Sequence, residues 1–527
     1  MMKRIVRNVC RIIHWPTLLI CGVSVFLISS VYPEIYEMLR EKLSVLGVII
    51  IFLVCILSII QKNLITSCPD KIMRTYIAIG IVEILMAILQ LFGILPSYSP
   101  YYKFTGSFRN PVVFAMMMAT CLPISVYCLI KSEPTSKRKW LMITIGVSLF
   151  LLLSESRTGI ISAFVSSFII VFFEYPRFRQ LVINRKRCFY LSGILVIVLV
   201  ILYFYKRNSA DGRILMWIVS LRMIADKPLM GWGRYGFSSS YMQYQANYFS
   251  ENPNSVFSYL ADNVSHPCNE LLLVTVNYGI VGCIAMVCIC IIALWMCFMT
   301  DNKYRYLNVS ILLTICIYSL FSYPSLVPIV WLICAFVICS NISFCCLKHC
   351  KMRVPMLTIL SAGIICILTQ NKNIYNEWKW KNIGVETSQV ISKEYFELYQ
   401  RLNTNPSFLY NYGAWLHRNG YYKESLDILS ECSLYYDDYN VELLLADNYN
   451  KLGKSLKAIE VFRNTSTMIP CRFLPLYHMM QIYKNNADTV NACRVAQMII
   501  NKPIKIKNSV ATEKIKDEAN LLLQNSY

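Results

Sequence analysis

Charge is scarce in this chain. Only 15% of its 527 residues are charged, against roughly a quarter in soluble globular domains. Hydrophobic residues make up 56%, and the mean hydropathy is +0.47. That balance excludes an ordinary soluble protein, although length alone would suggest roughly three soluble domains. Acidic residues are the scarcer sign, 30 against 51 basic ones, for a formal net charge of +21. The excess does not point to nucleic acid. No basic helix with interleaved aromatics stands out, and much of the positive charge sits in short loops between apolar runs, where it reports membrane orientation. The first apolar segment, about 15–32, has no convincing small-residue cleavage site after it and reads as an uncleaved anchor. Histidine is also rare, with five in all.

Cysteine is plentiful, at 22, but lies mostly inside apolar runs (Cys283, Cys288 and Cys290, for example), where it behaves as a small buried hydrophobe. Cys345, Cys346 and Cys350 with His349 resemble metal ligands only loosely, and their place at a membrane-facing helix end favours a structural reading over zinc.

What fills the first 370 positions is apolar runs of about 18 or more residues, long enough to cross a bilayer. Spans are expected at about 15–32, 43–61, 75–95, 110–130, 139–154, 158–174, 188–205, 278–299, 306–322, 325–346 and 354–370. That makes an all-α, polytopic transmembrane helical bundle of about 11–12 crossings. With the N-terminus in the cytoplasm, the inner loops hold Lys62, Lys71 and Arg74, then Lys131, Lys137, Arg138 and Lys139, then Arg177 to Arg187, Lys303 and Arg305, and Lys348 to Arg353. Outer loops are poorer or mixed in charge, so the alternation holds throughout. It puts the long polar loop at about 206–270, and the tail, outside.

Residues 1–372 thus form a membrane-embedded domain, and 373–527 a tail of different material: charged, rich in Tyr and Asn, and helical in pattern. The tail also repeats. Gly420, Ser425 and Leu429 recur 33 residues later as Gly453, Ala458 and Phe462, and a weaker third copy has Asn486 in the glycine position. Small residues where helices cross and a period near 34 are the tetratricopeptide pattern, which predicts a short α-solenoid of about three helical pairs. A generic helical bundle is the alternative.

Four places put polar side chains at the outer face. Thr105-Gly106-Ser107-Phe108-Arg109-Asn110-Pro111 is a turn entering a span. Ser154-Glu155-Ser156-Arg157-Thr158-Gly159 is a connection too short to be a free loop, so Arg157 stays near the membrane surface. An arginine at membrane depth costs about 2.5–3.5 kcal/mol on insertion scales, so it has a partner or a function, unless it snorkels to the interface. Arg213 and Trp217 stand one helical turn apart, with Arg222 beyond. Guanidinium groups bond two phosphate oxygens at once and keep their charge, which suits a diphosphate; ordinary lipid headgroup contact is the bland alternative. His266 with Asn269 and Glu270 precedes a helix, and the other histidines (His14, His349, His417 and His478) lie at a cytoplasmic end or in the tail. An imidazole titrating near 6.5 suits general-base work, although a lone loop histidine is more often structural. Phe237, Tyr241, Tyr244, Tyr248 and Phe249 either stack on sugar rings or form an interfacial belt.

In order, Thr-Gly-Ser-Phe-x-Asn-Pro, Ser-Arg-Thr-Gly, Gly-Arg-x-x-x-Trp, Asp-x-Pro-Leu-x-Gly-x-Gly and His-x-x-Asn-Glu, followed by Asn277-Tyr278-Gly279-Ile280-Val281-Gly282, resemble the O-antigen ligase and polymerase superfamily. The likeness covers roughly 100–300 closely and the membrane part in layout. It implies a GT-C-like fold and a metal-independent, cofactor-free inverting glycosyltransferase of the bacterial inner membrane, working on the periplasmic face. The donor would be an undecaprenyl-diphosphate-linked glycan. The acceptor would be lipid A-core for a ligase, another lipid-linked repeat for a polymerase, or a protein, and ligase is the reading preferred. Carried over by motif, Arg157 and Arg213 would hold the diphosphate and His266 would activate the acceptor hydroxyl. Arg109, Trp217, Asn269 and Glu270 would contact substrate, Arg109 either as a third phosphate contact or as an interface anchor. Cys268 departs from the pattern, standing where many relatives carry a second histidine. The tail would bind an acceptor or a protein partner. Rival readings are a transporter or flippase for lipid-linked sugars, which should show inverted repeats and broken helices, and a non-catalytic scaffold.

Overall fold

The computed structural model describes residues 68–99, 101–108, 110–182, 207–299, 303–327, 374–381, 388–502 and 509–524, with isolated positions between them. In chain order its α-helices are α1 (Cys68–Leu91), α2 (Pro111–Lys131), α3 (Pro134–Leu153), α4 (Arg157–Glu174), α5 (Pro176–Val182), α6 (Arg207–Asp226), α7 (Gly236–Glu251), α8 (Glu270–Met299) and α9 (Arg305–Phe321). The tail adds α10 (Ile374–Lys381), α11 (Ser388–Leu402), α12 (Pro406–Arg418), α13 (Tyr422–Ser433), α14 (Tyr439–Lys451), α15 (Ser455–Met468), α16 (Leu474–Asn485), α17 (Thr489–Asn501) and α18 (Val510–Gln524). Among the described residues no strand forms, and the protein is all-α. It separates into two compact units, one from 1–199 with 289–372 and one from 200–288 with 373–527.

The first unit is built around α2. Asn110 caps it, accepting from Val112 N at 2.9 Å, and Pro111 opens it with no N–H to leave unsatisfied. Its residues from Val113 to Cys121 are buried without a break, so apolar side chains on every face meet neighbouring helices. On α4 the small buried residues Gly159, Ser162, Ala163 and Ser166 let another helix approach closely, the usual device where lipid removes the hydrophobic drive between helices. Met73–Leu91, Pro111–Lys131, Arg157–Glu174 and Glu270–Phe298 are long and apolar enough to cross a membrane. The expected spans 75–95, 110–130, 158–174 and 278–299 fall on these, 139–154 on α3 and 306–322 on α9. The expected spans 15–32, 43–61 and 354–370 lie outside the described residues, 188–205 almost wholly so, and 325–346 in part.

The second unit joins the polar loop to the tail. Leu215, Val219 and Met223 of α6 pack with Phe237, Tyr241 and Phe249 of α7, and Tyr439, Met468 and Ile469 from the tail complete the same cluster. Polar side chains finish the join. Ser238 Oγ donates to Tyr435 O at 2.7 Å, Gln245 Nε2 to Met468 O at 2.7 Å, Asn464 Nδ2 to Gln243 Oε1 at 2.7 Å, and Arg472 pairs with Asp262 at 2.9 Å.

The tail opens with α10 and α11, which pack against α12, and continues as three successive helical pairs, α12 with α13, α14 with α15 and α16 with α17, followed by α18. Ser425, Ala458 and Ala492 are buried at equivalent places, where side chains of this size let paired helices touch. Gly420 and Gly453 take positive φ in the first two turns. In the third turn it is Ala487 that does so, not Asn486, which closes α16 instead.

Candidate active site

The Thr105–Phe108 turn is held from below. Ser107 donates to Glu83 through its backbone N–H (2.8 Å) and its hydroxyl (2.6 Å). Thr105 N and Gly106 N both donate to Gln90 Oε1 at 2.9 Å, and Gln90 Nε2 returns a bond to Gly106 O at 2.8 Å. Gly106 has φ +62°, and a Cβ there would lie 2.3 Å from a Glu83 oxygen, so this close approach needs glycine. Glu83 and Gln90 are buried on α1, inside an apolar run. Neither breaks the hydropathy of the run, although an acid in mid-span is itself the signal for a function or a partner. Arg109 lies outside the described residues.

Arg157 is the first residue of α4 and is half-buried. The connection before it is tight, as expected: Glu155 takes φ +53°, and Ser156 caps the helix by accepting from Gly159 N at 3.3 Å. The Ser-x-Thr-Gly residues of this motif therefore shape the helix start that presents Arg157.

In the second unit, Arg213 and Trp217 sit one turn apart on α6, both half-buried. Trp217 Nε1 donates to Pro267 O at 3.2 Å, which ties the arginine-bearing helix to the histidine turn. Around that turn Cys268 adopts φ +51°, so that its N–H reaches back to His266 Nδ1 at 2.9 Å. Asn269, mostly buried, accepts from Leu272 N at 3.0 Å and so caps α8. Glu270, also buried, places Oε2 3.9 Å from His266 Nε2.

Because Nδ1 accepts from an amide, the neutral imidazole carries its proton on Nε2, facing Glu270. Burial opposes the imidazolium. Cys268 and the Glu270 carboxylate outweigh that, and the His266 pKa lies above its ordinary value.

Two of the motifs hold each other. Trp232 N donates to Val276 O at 2.9 Å, Gly233 N to Asn277 O at 2.8 Å, and Ile280 N to Pro228 O at 2.8 Å. Asn277 adds side-chain bonds to Phe237 N (2.9 Å) and Arg234 O (3.1 Å). This clasp breaks α8 at Gly279, where φ is 65° and ψ −165°, a region essentially reserved for glycine. A Cβ at Gly279 would lie 2.0 Å from Leu229 O. The glycines at 231, 233 and 279 thus serve this join, which fixes how α8 leaves the His266 turn.

The aromatic run differs from both sequence readings. Phe237, Tyr241, Tyr248 and Phe249 are buried in the core that α7 shares with α6 and the tail, and Tyr244 bonds Asp226. Their spacing along one helix is core spacing, and part of that core, Tyr439, Met468 and Ile469, comes from the tail, far away in sequence. Arg222 pairs with Glu251 at 2.7 Å and lies over the Tyr248 ring.

The structure therefore assembles Trp217, His266, Asn269 and Glu270 around one turn, with Arg213 on the adjoining helix, while Arg157 belongs to the other unit. Among the described residues no group of three or more His, Cys, Asp or Glu side chains is arranged to hold a metal ion. The Cys345–Cys350 cluster falls outside those residues. Residues 140–287 match the family model described as O-antigen ligase. No curated protein matches the chain. The matched stretch contains Arg157, Arg213, Trp217, His266, Asn269 and Glu270, whereas Arg109 precedes it.

Proposed function

We propose, from the premise that residues 140–287 are an O-antigen ligase-type domain in a multi-pass membrane enzyme, that this protein moves a glycan from undecaprenyl diphosphate to an acceptor hydroxyl on the periplasmic face of a bacterial inner membrane. Lipid A-core is the preferred acceptor, with another lipid-linked repeat or a protein as the alternatives. The observation that carries the reading is the family match over the stretch holding both arginines and the histidine turn.

Arg157 and Arg213 bind the donor diphosphate and neutralise the charge that grows on it, the kind of electrostatic term that dominates such catalysis. His266 accepts the acceptor's hydroxyl proton. The oxygen then forms a bond to the anomeric carbon as the bond from that carbon to diphosphate breaks. Attack from the opposite side inverts the centre and releases lipid diphosphate. Trp217, Asn269 and Glu270 hold the turn and line the approach to it, and no metal or cofactor takes part. Arg109 is either a further phosphate contact or an interface anchor.

A second reading rests on the His266 tautomer. With the Nε2 proton facing Glu270, the ring must give up its Cys268 bond before Nε2 can accept a proton. The Glu270 carboxylate is a base that needs no such change.

The tail is read as tetratricopeptide-like, a binding module for an acceptor or a protein partner. The shared core of loop and tail supports putting both on one side of the membrane. Purified protein in lipid, given lipid-diphosphate glycan and each acceptor in turn, tests the assignment. Product on lipid A-core is expected, and His266→Ala should abolish it. If His266→Ala transfers at the parent rate while Glu270→Gln does not, the second reading replaces the first.

A further inference from the structure

At the opposite end of the first unit's helices lies a cavity of about 330 Å³. It is lined by Arg74 at the start of α1, Lys131 at the end of α2, Trp140 early in α3, and Lys303 and Tyr304 just before α9, with Asp70 the one carboxylate in its wall. The Asn110 end of α2 and its Lys131 end are 21 residues apart, or about 30 Å along the axis, the thickness of a bilayer core. The cavity is therefore separate from the turns at Ser107 and Arg157. Candidate spans begin at Met73 and end at Lys131, which sets the cavity at headgroup depth. Charge alternation assigns this face to the cytoplasm.

Three cations line the cavity against two acids, Asp70 in its wall and Glu174 beside it, which leaves it net positive by Arg74. Lys303 is paired with Asp70 at 2.8 Å and Lys131 with Glu174, while Arg74 is exposed. Exposed Lys137, Arg138 and Lys139 add to the field at the start of α3. Trp140, Tyr127 and Tyr304 supply the amphipathic rings that settle at the membrane–water boundary, and Met73 and Cys128 give the cavity an apolar side.

We propose that this cavity binds the phosphate headgroup of an anionic membrane phospholipid, with Arg74 as its principal charged contact. Basic pockets between membrane helices on the cytoplasmic side suit such headgroups. The site is independent of the transfer reading.

Full-length protein, stripped of lipid in neutral detergent, is given phosphatidylglycerol, phosphatidylcholine or inorganic phosphate, and bound species are counted by native mass spectrometry. Retained phosphatidylglycerol adducts are expected in excess over phosphatidylcholine. Arg74→Gln should weaken them about fivefold, the worth of one basic residue near a charged lipid surface. Arg74 is exposed, so this variant should fold, and its melting temperature checks that it does. Lys137→Gln, outside the cavity wall, should weaken binding less. Equal binding of the two lipids, or undiminished phosphatidylglycerol binding by folded Arg74→Gln, would overturn the proposal. So would binding of inorganic phosphate without lipid adducts, which would make this a free-phosphate site.

Discussion

Cys268 bends the chain into positive φ, and the result is a histidine whose protonation is written into its surroundings. His266 was legible in the sequence by elimination, as the one histidine in the outer loop. Its amide partner was not, because a backbone N–H leaves no mark in the residue types. Glu270 and the thiol of Cys268 raise the His266 pKa. If His266 is the base, transfer should rise with pH through a value above the ordinary 6.5 or so. Glu270→Gln removes a charge that favours the imidazolium, so the rising limb of the rate profile should move to lower pH. A profile that keeps its position in Glu270→Gln would mean that the two groups do not act together. The same turn shows what motif reading conflates. Asn269 caps a helix, and Ser156 in the Ser-Arg-Thr-Gly motif does likewise, so parts of a functional signature are there to present their neighbours.

At the scale of elements, helix positions in the first unit followed directly from apolar run length, because a span must satisfy its backbone internally. The interior was harder to read. Glu83 and Gln90 are buried on α1, and Asn308 donates to Ser340 and Asn341 at 2.8 and 3.2 Å, so the spans are less uniformly apolar than their hydropathy suggests. The partner of each polar residue lies on another segment, out of view of a local pattern. The α8 clasp is similar: the glycine-rich motifs were visible, but not that they meet. Gly279→Ala should cost about 1–3 kcal/mol from backbone strain alone, before the clash with Leu229. Thermal unfolding of the variant would show this as a lowered transition, and an unchanged one would remove the clasp from the account.

The tail's join to the loop should also respond to pH. Gln243 Nε2 donates to Asp437 at 2.9 Å and lies 3.4 Å from Glu442. Burial pushes both carboxyls up; Asp437 raises Glu442 further, while Asp438 raises Asp437 against the lowering pull of its bonds to Gln243 and Glu442. Carboxyls raised in the fold stabilise it fully below their unfolded range, about 4, and lose that contribution as pH rises through the folded values. Unfolding followed by heat should therefore show a join that weakens toward alkaline pH. Glu442→Gln should flatten the dependence, and an equally steep curve in that variant would assign it elsewhere.

Across the whole molecule, the asymmetry of the sequence, an apolar first part and a polar tail, is only part of its organisation. The polar loop packs with the tail in one compact unit although about a hundred residues separate them in the chain. No periodicity in either segment foretold this, since Tyr241 and Phe249 share their core with Met468 and Ile469, which arrive from the tail. Loop and tail sharing a core is the packing expected if the tail serves the transfer site. The claim on which the rest depends is that the arginine and histidine motifs transfer a glycan from lipid diphosphate. Its most direct measurement is the initial rate of glycan transfer by purified full-length protein from a lipid-diphosphate donor, compared with folded Arg213→Ala. Loss of about a hundredfold or more, the usual scale for removing one preorganised electrostatic contact in catalysis, is predicted. A rate equal to the parent's, or no transfer by the parent to any acceptor, would contradict it.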